Sequence, residues 1–161
     1  MIKDKILLLE KLDRLEELLA EFNELSGGLS AADLEIVEEA DELLAAREKL
    51  IVQMKTLTPE VAEIVGRQSP EKTTILGKML NGEAVMAEFT EDEKELQSKI
   101  INIRSLQSDI LKSDESNRMR FKRKYDEVRE ELENLQKEKK KLNFYQTAAT
   151  SERVSKFENQ G

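Results

Sequence analysis

Apolar residues recur at steps of three and four along nearly the whole chain, and the longest such run organises the rest. From Thr90 to about Tyr145 the sequence holds neither proline nor glycine, and Thr90 with Glu93 three residues later makes a capping-box pattern. One long helix is predicted over 91–145. Its apolar positions are Leu96, Ile100, Ile103 and Ile110, then Phe121, Tyr125, Val128, Leu132, Leu135 and Leu142. Spacing of this kind makes a seam for partner helices. Between the two apolar blocks the seam turns polar at Gln107, Asp114 and Asn117, and a basic run follows at Arg118, Arg120, Lys122, Arg123 and Lys124. The pattern leaves open whether the helix bends or stops at that polar middle.

Upstream, Leu8, Leu12, Leu15, Leu19 and Phe22 predict an amphipathic helix over about 2–25, ended by Ser26-Gly27-Gly28 because glycine accepts the left-handed conformation that closes a helix. Ser30 with Asp33 then predicts the cap of a second helix over 31–57, with Ile36, Ala40, Leu43, Leu50, Met54 and Leu57 on one stripe. Arg47 interrupts that stripe. The short connection favours an antiparallel hairpin. Thr58-Pro59-Glu60 and Ser69-Pro70-Glu71 are each stop-and-restart signals, so short helices are expected across 59–80 until Asn81-Gly82. Residues 58–89 thus form a broken helical connector. The polar segment 146–161 is expected to be a mobile tail. The fold class is all-α: an antiparallel hairpin packed with a long C-terminal helix in a coiled-coil-like bundle, as a single elongated domain over 1–145.

Composition supports long charged helices, with 37% charged and only 4% aromatic residues. Cysteine and histidine are both absent, which removes disulfides, the usual zinc sites, imidazole catalysis and thiol nucleophiles. Neither membrane span nor secretory signal is visible. The net charge of -8 is concentrated early, residues 1–60 holding seven Lys or Arg against fifteen Asp or Glu. Such acidity suits solubility or a basic partner, and disfavours nucleic acid.

Candidate chemistry is sparse. The carboxylate pairs Glu38/Glu42 and Glu130/Glu131 lie on helices with basic neighbours and no imidazole, so they read as solvated faces. Gly66 and Gly82 belong to no phosphate-binding loop. The basic runs around Arg118 to Lys124 and at Lys137, Lys139, Lys140 and Lys141 are interleaved with acids, and cations near a helix C-terminus have an ordinary dipole explanation. No catalytic residue, metal site or cofactor is expected. Arg47 has two readings: a side chain that reaches the edge to pair with a neighbouring acid, or a polar device that fixes register or meets a partner.

Three stretches resemble the FlgN-type flagellar export chaperones, small acidic helical proteins of bacteria. The first is Glu38 to Leu57, with Leu43-Leu44, Arg47-Glu48-Lys49-Leu50, Met54 and Leu57; the second is Glu115-Ser116-Asn117-Arg118 followed by Phe121; the third is the ending Phe157-Glu158-Asn159-Gln160-Gly161. The resemblance implies a cytoplasmic, non-enzymatic chaperone that holds the terminal helical segment of hook-filament junction proteins before secretion. FliT-type chaperones, which serve the filament cap protein, share the design. What the family implies for residues is cargo binding by the C-terminal helix and a tyrosine that meets the export gate, for which Tyr145 is the nearest candidate. The cargo-facing positions expected here are Phe121, Tyr125, Val128, Leu132 and Leu135. The other class of function is a structural coiled coil that uses its seams for self-association, for instance as a homodimer. Exposed apolar seam discriminates the two, since a chaperone leaves part of a seam open.

Overall fold

The computed structural model describes residues 1–85 and 88–159, with side chains through 150. The architecture is all-α, with four helices in the order α1 (Lys5–Ala31), α2 (Val37–Gly66), α3 (Pro70–Asn81) and α4 (Glu91–Asn159). The chain divides into two compact units, Met1–Arg118 and Met119–Gly161. The first holds α1, α2, α3 and the opening turns of α4; the second is the remainder of α4.

In the first unit, α1 and α2 form the expected antiparallel hairpin. Lys11 pairs with Glu60 at 2.8 Å and the Arg14 guanidinium donates to Gln53 at 2.9 Å, while at the other end Leu43 packs on Gly28. The α4 helix lies beside α1 in the same direction. Lys5 pairs with Asp92 at 2.9 Å, Lys99 with Asp13 at 2.6 Å, and the Ser30 hydroxyl donates to Asn117 at 2.8 Å, so the partner number rises with the residue number. The result is an up-down-up bundle. Its core is Leu8, Leu12, Leu18, Leu19 and Phe22 of α1, Leu50, Leu57, Val61 and Ile64 of α2, and Leu96, Ile100, Ile103 and Ile110 of α4. Each such side chain taken fully out of water contributes roughly 1.5–3 kcal/mol. The exposed ion pairs fix register more than they stabilise, because a solvent-exposed pair contributes only about 0–1 kcal/mol.

Helix α3 seats Leu76 and Met79 in the same core. Its start follows the sequence signal: the Ser69 side chain accepts from the Lys72 N–H, and Pro70 occupies the first helical position. Its end does too, since Gly82 has φ 71° and closes the helix in the left-handed region. The Arg104 guanidinium donates to the Leu80 carbonyl at 3.0 Å and fills the space where a side chain at Gly82 would stand. At the opposite end of α3, Lys72 binds the buried Glu93. The capping box forms as expected, with the Thr90 N–H donating to Glu93 Oε2 at 3.0 Å and the Glu93 N–H to Thr90 Oγ1 at 3.3 Å. Burial opposes ionisation of Glu93. The Lys72 hydrogen bond, the Thr90 N–H and the Lys72 charge outweigh it and hold the carboxyl below its ordinary value.

Four boundaries depart from the sequence reading. The stop at Ser26-Gly27-Gly28 is absent and α1 runs on to Ala31. Two interior glycines cost a helix about 0.5–1 kcal/mol each relative to alanine, but the extra turns bury Leu29 and Ala32, and Gly28 lets the Leu43 side chain lie against α1. Ser30 is therefore not a helix cap; Asp33 instead accepts from the Glu35 N–H in the connection, and α2 begins at Val37. The stop at Thr58-Pro59 is also absent. Pro59 sits inside α2 on its exposed side, and its penalty of roughly 3 kcal/mol is outweighed because the helix beyond it buries Val61, Ile64 and Val65. The short helices expected over 59–80 are thus the end of α2 and the whole of α3. Finally, α4 is helical to Asn159, past Tyr145 and through most of the segment expected as a mobile tail; Gln160 and Gly161 lie outside the described residues.

One polar side chain ties the N-terminus down. Buried Gln68 accepts from the Lys3 N–H at 2.8 Å and donates back to the Lys3 carbonyl at 2.7 Å, satisfying a backbone segment that precedes α1.

Candidate functional site

The two polar features singled out in the sequence come together in the first unit. Asp114 and Asn117 face α1 and α2, where Arg47 donates to Asp114 at 2.7 Å and the Asn117 amide donates to the Ser26 carbonyl at 3.1 Å while accepting from Ser30. The Arg47 guanidinium also lies 4.4 Å over the Phe22 ring. Gln107, in contrast, is exposed, and half-buried Leu106 takes its place beside the core. Arg47 pairs with an acid on a neighbouring helix, as the first of its two readings expects. Its Nε finds no hydrogen-bond acceptor among the described residues. Buried Ser26 and Asn117, with the partly buried Arg47–Asp114 pair and exposed Ser30 at their edge, favour one register of three helices, because a slip leaves the buried amide and carbonyl unpaired.

The five apolar positions nominated for cargo all fall in the second unit. Phe121 is half-buried, whereas Tyr125, Val128, Leu132 and Leu135 are exposed, Leu132 by 54%. Leu142 extends the same stripe and is exposed as well. A helix turns about 100° per residue, so Phe121, Val128, Leu135 and Leu142 form one column and Tyr125 and Leu132 a second column beside it. The stripe is roughly 32 Å long at 1.5 Å per residue. Tyr145, 67% exposed, is turned about 60° from Leu142 and stands at the edge of the stripe; Phe144 packs edge-on against it, ring centroids 6.0 Å apart.

Within the first unit the inward positions of α4 are Glu93, Leu96, Ile100, Ile103, Leu106, Ile110, Asp114 and Asn117, steps of three and four without strict alternation.

Outside these features, a shallow apolar hollow of about 320 Å³ lies beside the end of α3, lined by Met79, Val85, Ile100 and Ile101. Among the described residues no group of acids is arranged to hold a metal ion, and no helix is long and apolar enough to cross a membrane. No family model, curated protein or solved structure matches this chain. Its function has to be argued from the stripe.

Proposed function

We propose that the protein is a non-enzymatic export chaperone of the FlgN type, which holds the terminal helical segment of a hook-filament junction protein along Phe121–Leu142 before secretion. The observation that supports this reading is an exposed apolar stripe of three heptads in the second unit. An apolar helix face of that length without a cover marks an interaction site, and helix-in-groove or helix-on-helix docking is the mode that matches it. The cargo folds on binding, so a few anchors, Val128, Leu132 and Leu135 foremost, provide the affinity against the cost of ordering the segment. Tyr145 at the edge of the stripe is the contact offered to the export gate. The filament cap protein is the alternative cargo, and the cytoplasm is the compartment the role requires.

The test is a pull-down from a lysate of a flagellated bacterium, read by mass spectrometry, with the full chain and with Val128→Asp/Leu132→Asp. Junction proteins should be recovered by the first and lost with the second. Recovery of nothing but the chain itself speaks for a self-associating coiled coil and overturns the chaperone reading. Cargo retained by the double variant moves the site off this face.

A further inference from the structure

The edges of the stripe carry information about its occupant. In a paired helix the columns that flank the apolar seam meet the partner's flanks and set which partner and which orientation are accepted. On one flank stand Lys122, Arg129, Gln136 and Asn143, without an acid; on the other stand Lys124, Glu131, Glu138 and Tyr145. The first edge is thus cationic where the stripe begins, its Arg129 lying 4.0 Å from Glu133 on the same helix, an exposed pair that costs little to exchange. Within the seam itself Lys139 takes the position that Leu132 and Tyr125 hold one and two heptads earlier. The unit as a whole, residues 119–161, has eleven Lys or Arg against eight Asp or Glu, while residues 1–118 have fifteen against twenty-six. Of the two units, the one that carries the stripe is net positive.

A second copy fits these edges poorly. Run parallel, it sets Lys139 against the copy's Lys139 inside the seam and Lys124 against the copy's Arg129. Run antiparallel, one register that pairs the columns sets Arg129 against Arg129 and Glu131 against Glu131 while matching Lys124 with Glu138 twice, so its flanks gain nothing net, and the next sets Glu131 against Glu138 twice. Like charges facing across a helix pair are repulsive, so no register of a second copy satisfies both flanks. Resting on the reading of this stripe as a docking face, we infer that its occupant is an amphipathic helix of another protein whose seam is flanked by acids, above all opposite Lys122 and Arg129, and which places a carboxylate against Lys139.

Two synthetic helical peptides decide this. They share a leucine and isoleucine seam and differ only in carrying glutamate or lysine at both flanking columns. Their binding to the full chain is followed by fluorescence anisotropy at low and high salt. Long-range attraction to the acidic N-terminal unit favours the lysine peptide, so a preference for glutamate has to arise at the flanks. The glutamate peptide should bind at least tenfold more tightly at low salt, with the gap closing at high salt as screening shortens. Lys122→Glu/Arg129→Glu should reverse the order, and Val128→Asp/Leu132→Asp should abolish binding of both. Equal affinities, a lysine preference in the unaltered chain, or a stable dimer in sedimentation equilibrium that peptide has to displace overturns the inference. Junction proteins recovered from lysate alongside equal peptide affinities remove this inference and leave the chaperone reading standing; a glutamate preference with no junction protein recovered does the reverse.

Discussion

The two halves of α4 are written in nearly the same alphabet and meet opposite fates. Leu96, Ile100, Ile103 and Ile110 are buried against the hairpin, whereas Val128, Leu132, Leu135 and Leu142 are exposed at the same helical spacing. Amphipathic spacing says that a face is to be covered; it does not say by which chain. What separates the halves is the polar layer at Asp114 and Asn117 and the sign of the net charge, five Lys or Arg against seven Asp or Glu over 91–118 and eleven against eight over 119–161. The first half is joined to its own chain by pairs such as Lys99 with Asp13, which hold that lysine above its ordinary value through the Asp13 hydrogen bond against the opposing effect of burial.

The largest effect should therefore come from shortening one leucine in each half. Leu96 is fully buried, and Leu96→Ala should lower stability by about 2–5 kcal/mol in urea unfolding, the range for cavity-forming core truncations. Leu132→Ala removes the same atoms from an exposed site and should change stability by less than about 0.5 kcal/mol. A comparable loss at both positions, growing with protein concentration at Leu132, breaks the comparison by showing that the stripe is covered by self-association.

The polar layer comes next. Asp114→Ala leaves the Arg47 guanidinium without its 2.7 Å partner, and Asn117→Leu leaves the Ser26 carbonyl without its donor; each should cost about 1–3 kcal/mol. Asp114 is itself partly exposed, so the lower part of that range is expected for it. Replacing both partners, Arg47→Met with Asp114→Leu, should restore most of the loss, because even a buried ion pair can be exchanged for well-packed apolar groups at little cost and this one is only partly buried. A double variant as unstable as the sum of its parts removes the pairing as the reason Arg47 interrupts its stripe.

Much of this was legible in the sequence, for physical reasons that also explain the rest. The capping box at Thr90 and Glu93, the Ser69-Pro70 start and the Gly82 stop were readable because each satisfies backbone groups within its own few residues. The false stops at Gly27-Gly28 and Pro59 share the opposite property. Their local cost is real but is outweighed by burial of Leu29, Val61 and Ile64 against other helices, which no local pattern reports. Arg47 could not be assigned from its own helix, since its partner lies on α4.

Acid tests how α4 is anchored at its start. Glu93 has its folded-state value held below the unfolded one, so it contributes stability that is fully present above the ordinary carboxylate value of about 4.3 and is lost as pH falls through the depressed folded value. Glu93→Gln should cost about 1 kcal/mol at neutral pH, in the range of a lost cap. The gap between the two proteins should narrow on acidification below about pH 4.3. A gap that is constant with pH assigns the loss to packing rather than to the ionised carboxyl and its bond to Lys72.

The smallest effect discriminates two neighbouring residues, and it tests how the hairpin reaches the polar layer at all. A helix ended at Gly27 would stop short of Ser30 and leave Asn117 without the hydroxyl that donates to it. Gly27 has nothing within 4 Å of where a Cβ would stand, so Gly27→Ala should stabilise the protein by about 0.5–1 kcal/mol through the lower backbone entropy of the unfolded chain. At Gly28 the added methyl meets the Leu43 side chain at 3.4 Å, an ordinary contact distance at its tight limit, so Gly28→Ala should gain less than Gly27→Ala. Thermal unfolding of the two variants resolves the difference. If both gain equally, Leu43 is not held against α1 at that level; if both lose, the hairpin ends near residue 26 as the glycine pair first suggests, and the polar layer is not where the seam of α4 changes hands.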